Sequence, residues 1–251
     1  MKRLARCRLA GVDGCRGGWV VAHTSDDIAN AELEIVERWH DIHARFEFIA
    51  VDMPIGLSEN AFRQCEVEAR KILRPYGSRV FRVPARGALA FAHDDWTGAN
   101  AWSKRQGYGG ISKQFWNILP KIAEIDGAIM VKDQSRIFEA HPEIAFARLN
   151  MGRPVVTKHT REGLIVRRRL LRKAGFTKLD RWLDEERPRN AKPDDILDAC
   201  VLLLTAVRIH EGVAEPVTAA TERDRRGLRM EIWRLLLLLK MLSAVARCFC
   251  L

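Results

Sequence analysis

The sequence predicts an α/β fold with a mixed central β-sheet flanked by helices. Residues 9–12 and 48–51 are continuous apolar runs, the pattern of strands buried on both faces, and each ends in an aspartate, Asp13 or Asp52. The first run turns through the glycine-rich residues 14–18 into a second apolar run at 19–22, which reads as a hairpin. Residues 193–212 form a long apolar stretch opened by proline and closed by glycine, the signature of a core helix.

The remaining elements follow in order. Residues 32–37 alternate as a third strand with charges on one face, and 39–46 make a short helix. Ser58 is a good cap for a helix over 59–73, which Pro75, Tyr76 and Gly77 end. Residues 77–88 are irregular and basic: Arg79, Arg82 and Arg86 alternate with Phe81 and Pro84, a mix that suits either a phosphate backbone or an ordinary surface loop. Gly107 to Gly110 is a flexible joint. Ser112 then caps a helix to Ile125, with Pro120 as a kink or break.

Residues 136–143 read as another strand, on which Glu139 and His141 share a face until Pro142 ends the pairing; a helix over 143–149 follows. The stretch 152–192 is strongly basic, with a helix at about 161–174, and reads as an insertion or lid whose charge is solvated. Residues 227–233 close the body. The tail, 234–251, carries five consecutive leucines; it is too short and too interrupted to span a bilayer, and suits a membrane-surface or partner-seeking helix, self-association included.

Length and charge narrow the function classes. At 251 residues and 47% hydrophobic, the chain suffices for one large domain or two small ones. The net charge of +10 is spread along the whole sequence, which either attracts polyanions, nucleic acid first, or is simply a solvated basic surface. Six cysteines, at 7, 15, 65, 200, 248 and 250, show no metal-hook spacing. No apolar signal core follows the charged N-terminus, so a cytoplasmic protein with reduced thiols is expected.

A carboxylate at the end of an apolar strand must be paired, protonated or bound to a cation. Asp13 either does so or bonds the N–H groups of its glycine turn; Asp52, before Pro54, is either a site acid or a turn residue. Asp194 and Asp195 favour the dipole of the helix they open. Asp198 shares a face with both, and like charges so placed repel unless a cation joins them.

The order of elements resembles the ribonuclease H-like fold. The motifs at residues 11–19, 51–56, 112–114, 139–143, 194–199 and 227–233 resemble the DUF429 family of predicted ribonuclease H-like nucleases, over about residues 9–233. This resemblance implies one ribonuclease H-like domain over 1–233, with the basic insertion inside it and the tail outside. It implies a metal-dependent nuclease in which Asp13, Asp52, Glu139 and a member of the Asp194, Asp195, Asp198 group hold two Mg²⁺ or Mn²⁺ ions. Asp195 and Asp198 are the chosen candidates of that group. His141 either assists a water or leaving group or is a strand-end residue bonded to backbone. Arg16, Arg79, Arg82, Arg86, Lys113 and Gln114 are candidate contacts to a nucleic acid, DNA or RNA. Two other readings stay open: a non-catalytic nucleic-acid-binding protein, and a phosphotransferase or ATPase of the actin-like-kinase type, which would need a further glycine-rich nucleotide loop.

Overall fold

In the computed structural model, residues 7–60 and 62–236 are described. In chain order the elements are β1 (Leu9–Cys15), β2 (Gly18–Thr24), β3 (Glu32–Val36), α1 (Trp39–Arg45), β4 (Phe48–Val51), α2 (Gln64–Ile72), α3 (Trp96–Arg105), α4 (Lys113–Trp116) and α5 (Leu119–Ala128). They continue with β5 (Ile137–Glu139), α6 (Pro142–Leu149), α7 (Arg161–Lys173), α8 (Leu179–Asp184), α9 (Pro193–His210), β6 (Ala214–Pro216), β7 (Glu222–Arg223), β8 (Arg229–Met230) and β9 (Trp233–Leu235). The described residues group into two compact units, one of residues 7–52, 136–216 and 233–236 and one of 53–60, 62–135 and 217–232.

The first unit is built on a five-stranded mixed sheet of order β3-β2-β1-β4-β5. β1 pairs antiparallel with β2 and parallel with β4; β4 pairs parallel with β5. Val12 lies beside Val51, and Val51 beside Glu139, so the C-terminal ends of three parallel strands are level. The ladder runs one step further, where Asp52 N–H donates to Val12 O at 3.1 Å. Asp13, Asp52 and Glu139 therefore stand at one end of the sheet.

Helix α9 packs directly on β1, and Gly11 is the reason it can. A Cβ at Gly11 would lie 1.9 Å from the Leu203 backbone nitrogen and 2.2 Å from Ala199 O. Only a residue without a side chain admits that approach. The consequence is register: Asp198, next to Ala199 on α9, comes level with Asp13, two residues past Gly11 on β1. Around this contact Leu9, Val20, Phe146, Leu171, Phe176, Leu179 and Trp182 share one core with the apolar face of α9. The stretch expected as an insertion or lid thus contributes four of those side chains: Leu171 from α7, Leu179 and Trp182 from α8, and Phe176 from the link between them. Arg167 is itself fully buried rather than solvated.

Several boundaries differ from the sequence reading for local reasons. The helix expected over 59–73 begins only at Gln64. The one expected over 112–125 is two helices, with Pro120 in the first turn of α5, where its missing N–H costs no bond. β5 stops at Glu139; His141 caps α6, and Glu143 lies in the first turn of that helix rather than on the strand.

The second unit holds α2 to α5 and the small β7–β8 ladder. Its interior carries ionic networks. Arg63, almost fully buried, pairs with Glu66 at 3.3 Å and donates to Ile55 O at 3.2 Å. Arg86 bridges Asp126, at 2.7 Å, and Asp224, at 2.5 Å. Arg226 adds a second guanidinium 3.1 Å from Asp126.

Of the tail, Arg234 and Leu235 belong to β9, which pairs with β6, and Leu235 is buried. Residues 237–251, with the self-association surface expected there, lie outside the described residues.

Candidate functional site

The site is assembled at the C-terminal end of the parallel strands by three elements and one loop of the first unit. β1 supplies Asp13, the end of β4 supplies Asp52, and α9 supplies Asp198. Asp13 and Asp198 are buried, and Asp52 is partly exposed. One oxygen of Asp198, Oδ2, accepts from Lys158 Nζ at 2.6 Å. The other, Oδ1, is buried and without a hydrogen-bond partner. Lys158 Nζ also lies 3.6 Å from Asp194 Oδ2.

Electrostatics bind these groups into one system. Burial pushes the Asp13 carboxyl well above the usual carboxylate range; the charges of Asp198, Asp52 and Asp195 push the same way, and Lys158 opposes them. Asp52 is pushed up to about 7, mainly by burial, with Lys158 pulling it down and Glu139 and Glu143 adding to the rise. Asp198 is pushed up to about 6 by burial, against the attraction and hydrogen bond of Lys158. Burial disfavours the Lys158 ammonium, yet Asp198, Asp13 and Asp52 outweigh it and raise its pKa. One lysine thus faces more negative charge than it can balance.

The other candidates divide by what their atoms already do. Glu139 is buried at the end of β5 and acts on Asp52 through its charge. Asp195 caps its own helix: Oδ2 accepts from Lys192 N–H at 2.8 Å. Burial raises its pKa and that bond lowers it, the rise prevailing. His141 caps α6, its Nδ1 accepting from Glu143 N–H at 3.2 Å. Arg16 is exposed in the β1–β2 turn. Arg79, Arg82, Arg86, Lys113 and Gln114 belong to the second unit. There Arg79 stacks over the Tyr76 ring at 4.3 Å, Lys113 lies over Trp96 at 5.1 Å, and Arg82 and Gln114 are exposed. Arg86 is engaged with carboxylates, as described.

Lys158 is the residue sequence reasoning missed. It sits in a stretch rich in Lys and Arg, where nothing local separates it from its neighbours. The structure does separate it. Buried Arg167 donates to Val156 O at 2.8 Å and pairs with Glu143. A Cβ on Gly163 would come 1.9 Å from Thr157 O, so the loop before Lys158 lies tight against α7.

Among the described residues, no three His, Cys, Asp or Glu side chains are arranged as a ready metal-binding set. The carboxylates stand around an ammonium. Cys7 and Cys200 are free thiols, and no described helix is long and apolar enough to cross a membrane.

The family model DUF429, a protein of unknown function, matches residues 11–223. The chain belongs to the DUF429 family. The matched span takes in Asp13, Asp52, Glu139, Lys158 and Asp198, so the whole cluster is DUF429 sequence. No curated protein and no solved structure matched the chain.

Proposed function

We propose that this DUF429 chain is a divalent-metal-dependent nuclease of the ribonuclease H-like type, hydrolysing phosphodiester bonds of nucleic acid. The observation that carries the reading is the meeting of Asp13, Asp52 and Asp198 from separate elements, with Asp198 Oδ1 buried and unpartnered. The strand order β3-β2-β1-β4-β5, with acids on β1, after β4 and on the last long helix, supports the ribonuclease H-like assignment. The net charge of +10 supports a polyanionic substrate.

The donor type suits a hard cation, although among the described residues no three such side chains are arranged as a metal-binding set. Carboxylate oxygens are what Mg²⁺ and Mn²⁺ prefer. Burial has raised the cost of leaving these acids ionised, and a cation would repay that cost. When bound, the metal would supply an activated water and neutralise charge at the scissile phosphate. Asp13, on the central strand, and Asp52 beside it would hold the ion, with Asp198 offering Oδ1. Glu139 adds negative potential next to Asp52. Asp195 and His141 act through structure, the one closing the first turn of α9 and the other that of α6. Arg16, exposed in the turn that follows Asp13, is the basic residue of this unit suited to a phosphate.

A test is incubation of the pure protein with labelled single- and double-stranded DNA and RNA, with Mg²⁺, Mn²⁺ or EDTA. Cleavage that needs metal and vanishes in Asp13→Asn is the expected result. Absence of cleavage of every substrate by a folded protein that binds Mn²⁺ would overturn the nuclease reading. A second reading, a nucleic-acid-binding protein without catalysis, is favoured by the pairing of Asp198 with Lys158. It predicts binding that persists in EDTA, with no cleavage in either metal.

A further inference from the structure

We propose that Arg148 and Arg234 form a phosphate-binding site in the first unit, made of residues outside the acidic cluster. The two guanidiniums grip the oxygens of a phosphate ester or of free phosphate. This inference stands whether or not the acids around Asp13 take a cation.

Arg148 lies in the last turn of α6 and Arg234 on β9. Both are partly buried, and the Nε of each is closed off from solvent without a hydrogen-bond partner. Arg63, Arg86 and Arg167 share that orphaned Nε, but each meets a carboxylate through its terminal nitrogens. Arg234 does the same, donating from Nη2 to Glu215 Oε1 at 2.9 Å. Arg148 is different. Among the described residues, no hydrogen bond and no ion pair engages its guanidinium. Burial and the charge of Arg234 lower its pKa, and the more distant pull of Glu215 does not make up for them. The C-terminal end of α6 offers only a fractional negative charge.

The missing anion has to come from outside the chain. Residues 1–6, 61 and 237–251 contain no Asp or Glu, so every acidic side chain is among the described residues, and none of them pairs with Arg148. A partly buried cation beside a second cation is costly until an anion joins them. The donors name the anion. A guanidinium presents a planar fork that matches phosphate oxygens two at a time. Two forks carry more donors than the two oxygens of a carboxylate can serve, and a phosphate has further oxygens to offer. Topology places the pair usefully. Trp233 bridges Ala140 in parallel, one residue past Glu139, so β9 brings Arg234 to the end of the sheet that carries Asp13, Asp52 and Glu139. The phosphate of a nucleic-acid strand crossing this end is one source of the anion, and free phosphate is the other.

The experiment measures melting temperature and calorimetric titration of the full chain in phosphate-free buffer with EDTA. Inorganic phosphate is compared with sodium chloride at equal ionic strength, and a short single-stranded oligonucleotide is then added as competitor. Proteins compared are the wild type, Arg148→Met, which removes the charge, and Arg148→Lys, which keeps the charge and loses the fork. Phosphate should raise the wild-type melting temperature by about 2–4 °C beyond the chloride control. Arg148→Met should lose that rise, and Arg148→Lys should bind phosphate roughly fivefold more weakly or worse. Without phosphate, Arg148→Met should be as stable as the wild type or more so, since an unpaired charge has left a partly buried place. No response beyond chloride in the wild type would overturn the inference, as would an equal phosphate response in folded Arg148→Met or in Arg148→Lys. A loss of stability in phosphate-free Arg148→Met, up to failure to fold, would make Arg148 a structural residue and overturn it too. Displacement of phosphate by the oligonucleotide supports the site with nucleic acid as its source, and phosphate binding that the oligonucleotide leaves untouched supports it with free phosphate. Because EDTA is present throughout, failure of the metal-dependent nuclease reading leaves each of these outcomes readable.

Discussion

The two units each place aspartates out of water, and they treat them in opposite ways. In the second unit Asp224 and Asp126 meet the guanidiniums of Arg86 and Arg226, with the half-exposed Glu59 as a third anion 3.5 Å from Arg86. Asp224 also accepts from the backbone N–H groups of Leu57, Arg226 and Leu228, at 3.1, 2.9 and 2.9 Å. That network holds itself together, as a structural ion cluster should. In the first unit Asp13, Asp52 and Asp198 share a single lysine; an orphaned carboxylate oxygen occurs in both units, Asp198 Oδ1 here and Asp126 Oδ1 there. These acids are gathered by the packing of α9 on β1 at Gly11, not by attraction to one another. Acids and guanidiniums nearly match in the structural cluster, whereas several acids held by packing face one lysine at the site.

The largest expected effect tests the balanced side. Arg86→Met should cost about 3–5 kcal/mol, because it strands Asp224, whose side chain is fully enclosed. Urea unfolding measures it, and a loss below about 1 kcal/mol would mean the network is not what holds this unit. Next comes the packing that forces the acids together. Gly11→Ala places a methyl group against the α9 backbone and should cost about 1–3 kcal/mol. It should also weaken Mn²⁺ binding, since Asp198 is displaced from Asp13; unchanged metal affinity in a destabilised protein would separate packing from site.

The third effect is smaller and opposite in sign. Asp13→Asn, measured in EDTA, should leave stability unchanged or raise it by about 0.5–1 kcal/mol, because one repelling charge is gone. The same change should abolish the rise in melting temperature that Mn²⁺ gives the wild type. A loss of stability in EDTA with the Mn²⁺ response intact would assign Asp13 to capping the glycine turn instead.

The smallest effect is the pH dependence of Asp52. Its folded pKa of about 7 lies above the unfolded value of about 3.9, so the folded state binds the extra proton. The stability this confers is complete below about pH 4 and is lost as pH rises through about 7. In EDTA the wild type should therefore lose stability relative to Asp52→Asn between pH 4 and 7. Parallel melting curves across that range would show that Asp52 titrates normally.

What the sequence made legible was the part in which each residue carries its own signal. Apolar runs ending in Asp13 and Asp52 are strands with acids at one end, and their parallel pairing follows from burial on both faces. The start of α9 at Pro193 was equally readable, and so, in principle, was the role of Asp195. It lies three residues after Lys192, the N3 position from which a side chain reaches back to the cap. What stayed hidden depends on partners far along the chain. Arg86 reads as a nucleic-acid contact beside Phe81 and Pro84, until Asp126 and Asp224 are seen to meet it. Lys158 reads as one solvated base among many, until Arg167 and Gly163 fix its loop. The chain leaves the first unit after Asp52 and returns at Arg136, a detour that no composition change announces.

The seat of α9 on β1 has a consequence for the time at which the site exists. Gly11 and Asp13 are made early, and Leu203 and Asp198 almost two hundred residues later. A nascent chain that has not yet released α9 carries Asp13 on a strand with an open groove where the helix belongs. Its acids have no Asp198 to repel them, and Lys158 has no carboxylate on α9 to hold. Cation binding should therefore appear abruptly with the docking of α9, which would make bound Mn²⁺ a reporter of the moment this unit of the chain is completed.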